Sequence, residues 1–144
     1  MELNRALSNV NCVLAAADSF FQIADLLHRR LNSGPLNGAQ SEQPTTELYS
    51  LLVEEYGLRA RAAILRNDAV AHTVGNTTID QTHLLAVLNQ AGKVISEIDH
   101  LDQLRSIVAD VSTLCVGISP GKGLTVDFLL GQLQSGLAPE NRSA

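Results

Sequence analysis

The chain has 144 residues, a formal net charge of −5 and a hydrophobic fraction of 45%, with no Trp, three Phe and two Tyr. That length is enough to bury one core and fits a single domain. The acidic balance excludes a broad nucleic-acid-binding face, which needs clustered Lys and Arg, and leaves room only for a small local basic site.

An aliphatic, Ala-rich composition suits helix-on-helix packing, because straight-chain residues and Ala lose little rotamer freedom in a helix. The start, Met1-Glu2-Leu3-Asn4-Arg5, is polar and lacks a signal-peptide pattern. No apolar run reaches about 18 residues, so no membrane span is expected and the expected location is the cytoplasm. Cys12 and Cys115 sit in hydrophobic contexts and are expected to be reduced, buried thiols.

From Leu3 to Leu31, the residues Leu7, Val10, Leu14, Ala17, Phe21, Ala24 and Leu27 recur at steps of three and four, with Phe20 and Ile23 widening the stripe. That spacing predicts one long helix, stopped by Asn32-Ser33-Gly34-Pro35. Leu36 to Pro44 reads as a flexible loop. Thr45 or Thr46 can cap a second helix, in which Leu48, Leu51, Leu52, Tyr56, Ala63 and Val70 keep helical spacing to about Ala71 or His72. Thr73 to Thr78 is a turn. A third long helix starts at Thr78 or Asp80 and runs past Val111, weakest at Gly92 and at His100-Leu101-Asp102. Val116 to Gly123 is a loop, Thr125 caps a short last helix with Val126, Phe128, Leu129, Leu130 and Leu133, and 138–144 is a tail. The expected fold is all-α, a bundle of three long helices plus a short C-terminal helix in one domain over 1–137. So wide an apolar stripe also leads us to expect a homodimer through a helix face.

The chemistry-bearing stretch is the end of the second helix, Leu65-Arg66-Asn67-Asp68-Ala69-Val70-Ala71-His72. A guanidinium is always charged and its fork of donors suits a phosphate. An imidazole titrates near neutrality and can take the proton from a ribose 2′-hydroxyl. Attack of that oxygen on the adjacent phosphorus would cleave RNA without a metal, with Arg stabilising the phosphoryl oxygens. Six residues of straight helix turn by about 600°, which leaves Arg66 and His72 roughly 120° apart. They converge only if the helix ends or kinks before His72, or if two chains pool their motifs. Arg59 and Arg61 lie just upstream, and Arg59 shares a face with Arg66 two turns on.

The segment resembles the signature of the HEPN superfamily: an arginine, here Arg66, a polar follower, here Asn67, and a histidine four to six residues on, here His72 after Ala71. The motif covers about eight residues, and the family's small all-α bundle agrees with the architecture read from spacing. The resemblance implies a dimeric RNA-binding protein, or a metal-independent endoribonuclease of a defence or toxin–antitoxin system, with an antitoxin or other protein as partner. Arg66, Asn67 and His72 would then be catalytic, and Arg59 and Arg61 would hold RNA. No cofactor, metal, DNA or membrane is expected.

The competing reading is a non-catalytic helical adaptor or regulatory module. There Arg66 pairs with a carboxylate of its own chain and His72 closes a helix C-terminus. Gly117 to Gly123 is not a phosphate loop: its glycine spacing is wrong, Gly123 stands where Ser or Thr is needed, and it follows a helix. His83 and His100 lack partners at metal-ligand spacing, and His28-Arg29-Arg30 is a cationic helix end.

Overall fold

The structure is a computed structural model, and it describes residues 4–34, 36 and 46–138. These form five α-helices: α1 (Val10–Asn32), α2 (Thr46–Asn67), α3 (Gln81–Glu97), α4 (Leu101–Gly117) and α5 (Gly123–Leu137), with a 3-10 turn (Ala69–His72) between α2 and α3. The all-α class matches the expectation, but the helix count does not. The flexible loop expected over 36–44 and the tail over 138–144 lie almost wholly outside the described residues.

The single long third helix is in fact α3 and α4. Ile98 takes extended backbone, with φ −69° and ψ 143°, and His100 does likewise ahead of α4. Asp99 and His100 are weak helix formers, and the break is held from outside the segment. Arg30 on α1 donates through Nε to the Ile98 carbonyl at 2.6 Å, which satisfies an end-of-helix acceptor. Ile98 and Leu101 on either side are buried, so the bend lets both helices keep an apolar face inward.

The first helix also starts later than its spacing suggests, at Val10, with Asn9 as its cap accepting from the Cys12 amide. The residues before it form a strap across the α2–α3 connection. Ala6 donates to the Ile79 carbonyl, Gln81 to the Asn4 carbonyl and Val74 to the Leu7 carbonyl. Leu7 is fully buried at φ 63°, a left-handed conformation that costs a leucine roughly 1–2 kcal/mol. Its amide donates to Gln81 Oε1 at 2.9 Å, and Gln81 Nε2 donates to the Cys12 carbonyl at 2.9 Å. Thr77 Oγ1 completes the strap by donating to the Ala6 carbonyl. The same connection ties down α5, because Asn76 Oδ1 accepts from the Gly123 amide and Asp127 accepts from the Thr78 amide. A Cβ on Gly123 would run into the Asn76 backbone, which is why this helix begins on a glycine.

Each helix touches the next around a closed circuit: α1 on α3, α3 on α5, α5 on α4, α4 on α2 and α2 back on α1. One core fills the middle, with Phe20, Leu27, Leu65, Leu84, Leu88, Leu104, Leu114 and Leu130 among its largest members. Helix α1 is long and apolar enough to cross a membrane by length and composition alone, and 44% of that window is buried inside the protein. Its Phe20, Ile23 and Leu27 are core residues of the bundle.

Because Gln81 supplies both a donor and an acceptor to buried backbone, Gln81→Ala should lower unfolding free energy by about 2–4 kcal/mol in urea denaturation. A loss below about 1 kcal/mol would show that the strap is not held by this side chain.

Candidate functional site

Helix α2 stops at Asn67, and the 3-10 turn carries the chain to His72. The helix therefore ends before the histidine, and Asp68, at φ −136°, marks the corner. His72 is half-buried, with Nδ1 2.8 Å from the Asp68 carbonyl oxygen. A neutral ring that donates from Nδ1 to that carbonyl has Nε2 left as its acceptor. Asn67 is exposed.

Arg66 is engaged by its own chain. Its NH2 group lies 2.7 Å from Asp18 Oδ1, and its guanidinium carbon sits 4.2 Å above the centre of the Phe21 ring. Arg59 donates to Asp25 at 2.8 Å and to Glu55 at 2.9 Å. Desolvation works against the charge on Arg59, but the hydrogen bonds to Asp25 and Glu55 outweigh it and raise its pKa above the ordinary value. Glu55 is buried and also meets His28 Nδ1 at 3.1 Å. The pairs His28–Glu55, Asp25–Arg59 and Asp18–Arg66 descend α1 as they ascend α2, so they form an antiparallel ladder that fixes the register of the two helices.

Arg61 points the other way. It donates to the carbonyls of Cys115, Val116 and Ile118 at 3.5, 3.4 and 3.1 Å, closing the C-terminus of α4. The structure thus separates the expected RNA-binding pair: Arg59 faces α1 and Arg61 faces α4. Cys115, beneath this contact, is fully buried, and desolvation pushes its thiol up to about 12, so it is no nucleophile at neutral pH. Among the described residues no three of His, Cys, Asp and Glu gather as a metal site.

With its cations turned onto α1 and α4, α2 presents a different face to solvent. Leu51, Glu55, Leu58, Ala62 and Leu65 are buried, while Tyr49 is 57% exposed, Val53 70%, Tyr56 81% and Ile64 46%. The exposed set, with Ala60, follows steps of four, three, four and four, one straight stripe opposite the core. No charged residue falls at these positions. A mostly apolar cleft lined by Leu31, Asn32, Leu48, Tyr49 and Leu52 continues the stripe at the start of α2. A polar cleft lined by Ser50, Glu54, Asp102, Arg105 and Ser106 lies between α2 and α4, toward the end of α2 opposite Arg66.

Tyr56 and Val70 keep the helical spacing of the second helix alongside Leu48 and Leu51. Both are exposed, Tyr56 on the stripe and Val70 on the 3-10 turn at 74%. A helix with apolar residues on opposite sides gives the same steps of three and four on each, so periodicity alone cannot say which side is inward. Compared with known proteins, the chain matches no family model, no curated protein and no solved structure.

These contacts rank the arginines by stability. Arg61→Ala strips charged donors from helix-end carbonyls and should cost about 2 kcal/mol in denaturant unfolding. Arg66→Ala loses an exposed ion pair and a ring contact and should cost about 1 kcal/mol or less. The reverse order would contradict the assigned roles.

Proposed function

We propose that this protein is a non-catalytic helical interaction module whose working surface is the outward face of α2. The observation that carries this reading is the uncharged stripe of Tyr49, Val53, Tyr56, Ala60 and Ile64 on a helix whose arginines are all bound to their own bundle. Exposed apolar residues are common singly, but a contiguous helical stripe of them marks an interaction surface. Tyrosines suit it, since they bring a large apolar ring with few rotamers to freeze. Burying a stripe of this kind is how an apolar helix face contributes to association.

Hydroxyl-radical footprinting tests this directly. In an extract of the cells that make the protein, Tyr49 and Tyr56 should be oxidised several-fold more slowly than in the dilute purified protein. Equal rates in both, and also in the purified protein at several hundred micromolar, would mean that nothing covers the face and would sink the reading.

A second reading, HEPN-like binding or cleavage of RNA, is favoured by one observation: α2 ends before His72, which is the condition for Arg66 and His72 to converge. In this reading Asp18 competes with phosphate for Arg66. Metal-free cleavage of an RNA pool should then disappear in His72→Ala, with an unchanged thermal melt, and should rise in Asp18→Asn. Wild-type protein that leaves RNA intact in a chelator ends the cleavage reading. RNA binding that is indifferent to Arg66→Ala ends the binding one.

A further inference from the structure

We infer that the outward face of α2 is occupied by a second copy of this chain, with the two α2 helices running antiparallel. This rests on the interaction-module reading and adds the identity and direction of the partner.

The pattern of side-chain sizes on the stripe carries the inference. Gly57 sits beside Tyr56, and a Cβ built on it meets nothing within 4 Å, so the backbone there is open to approach. Across a twofold axis lying between residues 56 and 57, each large side chain meets a smaller or branched one. Tyr56 covers Gly57 of the second copy, Val53 meets Ala60, and Tyr49 meets Ile64. Such alternation lets the side chains of each helix enter the gaps of the other. An interface of this symmetry is self-complementary by construction. A parallel pair would instead set Tyr56 on Tyr56 and Gly57 on Gly57, which crowds one level and leaves a gap at the next.

Charge and area point the same way. The stripe has no charged residue to bury, and the flanking Arg59, Arg61 and Arg66 are neutralised or capped within their own chain. The antiparallel arrangement also opposes the two helix dipoles, each N-terminus lying beside the other helix's C-terminus. The exposed parts of Tyr49, Leu52, Val53, Tyr56 and Ile64 come to on the order of 500 Å² per copy, given about 150–250 Å² for a full aromatic side chain. Two copies then bury roughly 1,000 Å², the lower edge of a specific interface. An interface at that lower edge goes with weak, reversible association, expected in the micromolar range.

The direction matters for the motif at the end of α2. In this register the two Arg66 residues stand about 28 Å apart along the helix axis, from a rise of roughly 1.5 Å per residue. Antiparallel pairing therefore holds the two Arg66–His72 segments at opposite ends, where they cannot share one phosphodiester.

Sedimentation equilibrium on the purified full chain, with cysteine cross-linking, tests this. Wild type should pass from monomer to dimer in the micromolar range. Tyr56→Glu should weaken this at least a hundredfold with an unchanged helical spectrum and melt, as its 81% exposure allows. Gly57→Leu should weaken it at least tenfold by holding the helices apart. Val53→Cys and Ala60→Cys proteins should form disulfides mainly with each other when mixed, and the native Cys12 and Cys115 are buried and will not compete. Cross-linking of each variant only with itself would overturn the antiparallel register. A wild-type monomer at several hundred micromolar, or a dimer indifferent to Tyr56→Glu, would overturn the second copy as occupant. If Tyr49 and Tyr56 are nonetheless protected in cell extract, the interaction-module reading survives with another partner, so the two failures are distinguishable.

Discussion

The arrangement of this protein turns on how α2 is clamped. On one flank Arg59 and Arg66 reach Asp25 and Asp18 of α1, and on the other Arg61 reaches the last carbonyls of α4. Ion pairs this exposed add little stability singly, but they are directional. Each fixes the rotation of α2 about its own axis, and with Leu51, Leu58, Ala62 and Leu65 inward the rotation has one solution. What remains outward is the uncharged stripe. A helix rotated by one position would bury arginine and expose leucine, and burying an unpaired charge is far costlier than exposing a methyl group.

This clamp bears equally on the two functional readings. The side chains that would hold phosphate, Arg59, Arg61 and Arg66, are the ones that hold α2 in place. A guanidinium stacked on Phe21 and paired with Asp18 is preorganised for its present partners. Recruiting it to a substrate would require exchanging those contacts, whereas the stripe needs no rearrangement to bind. Asn67 and the Nε2 edge of His72 carry no such commitment and are the freer part of the motif.

Much of the fold was legible in the sequence, because it rests on local signals. The helical class follows from composition and spacing and the stop after α1 from Asn32-Ser33-Gly34, whereas the poor helix formers near His100 marked only a weak point in what reads as one continuous helix. The strap was not legible: Leu7 fits the α1 stripe by spacing, and only its contact with Gln81, far along the chain, takes it out of the helix. The ladder between α1 and α2 left a trace that could have been read. Asp18 and Asp25 are seven apart, as are Arg59 and Arg66, and matching repeats of opposite charge on two antiparallel helices imply pairing. The outward stripe was hidden for another reason: two apolar faces on one helix produce overlapping periodicities, and only tertiary packing decides between them.

The strap also constrains the order in which the chain can assemble. Leu7 and Gln81 are 74 residues apart in sequence, and Ala6 and Thr77 are 71 apart. Contacts so distant close a large loop and gain little until the intervening helices have packed. The groove that receives Leu7 is made by the connection leading into α3 and by the start of α3, where Gln81 also reaches Cys12 of α1, so it exists only once α1 and α3 have come together. Residues near the beginning of the chain are thus placed late, and the corner bearing His72 is sealed in the same step through the bond between Val74 and Leu7.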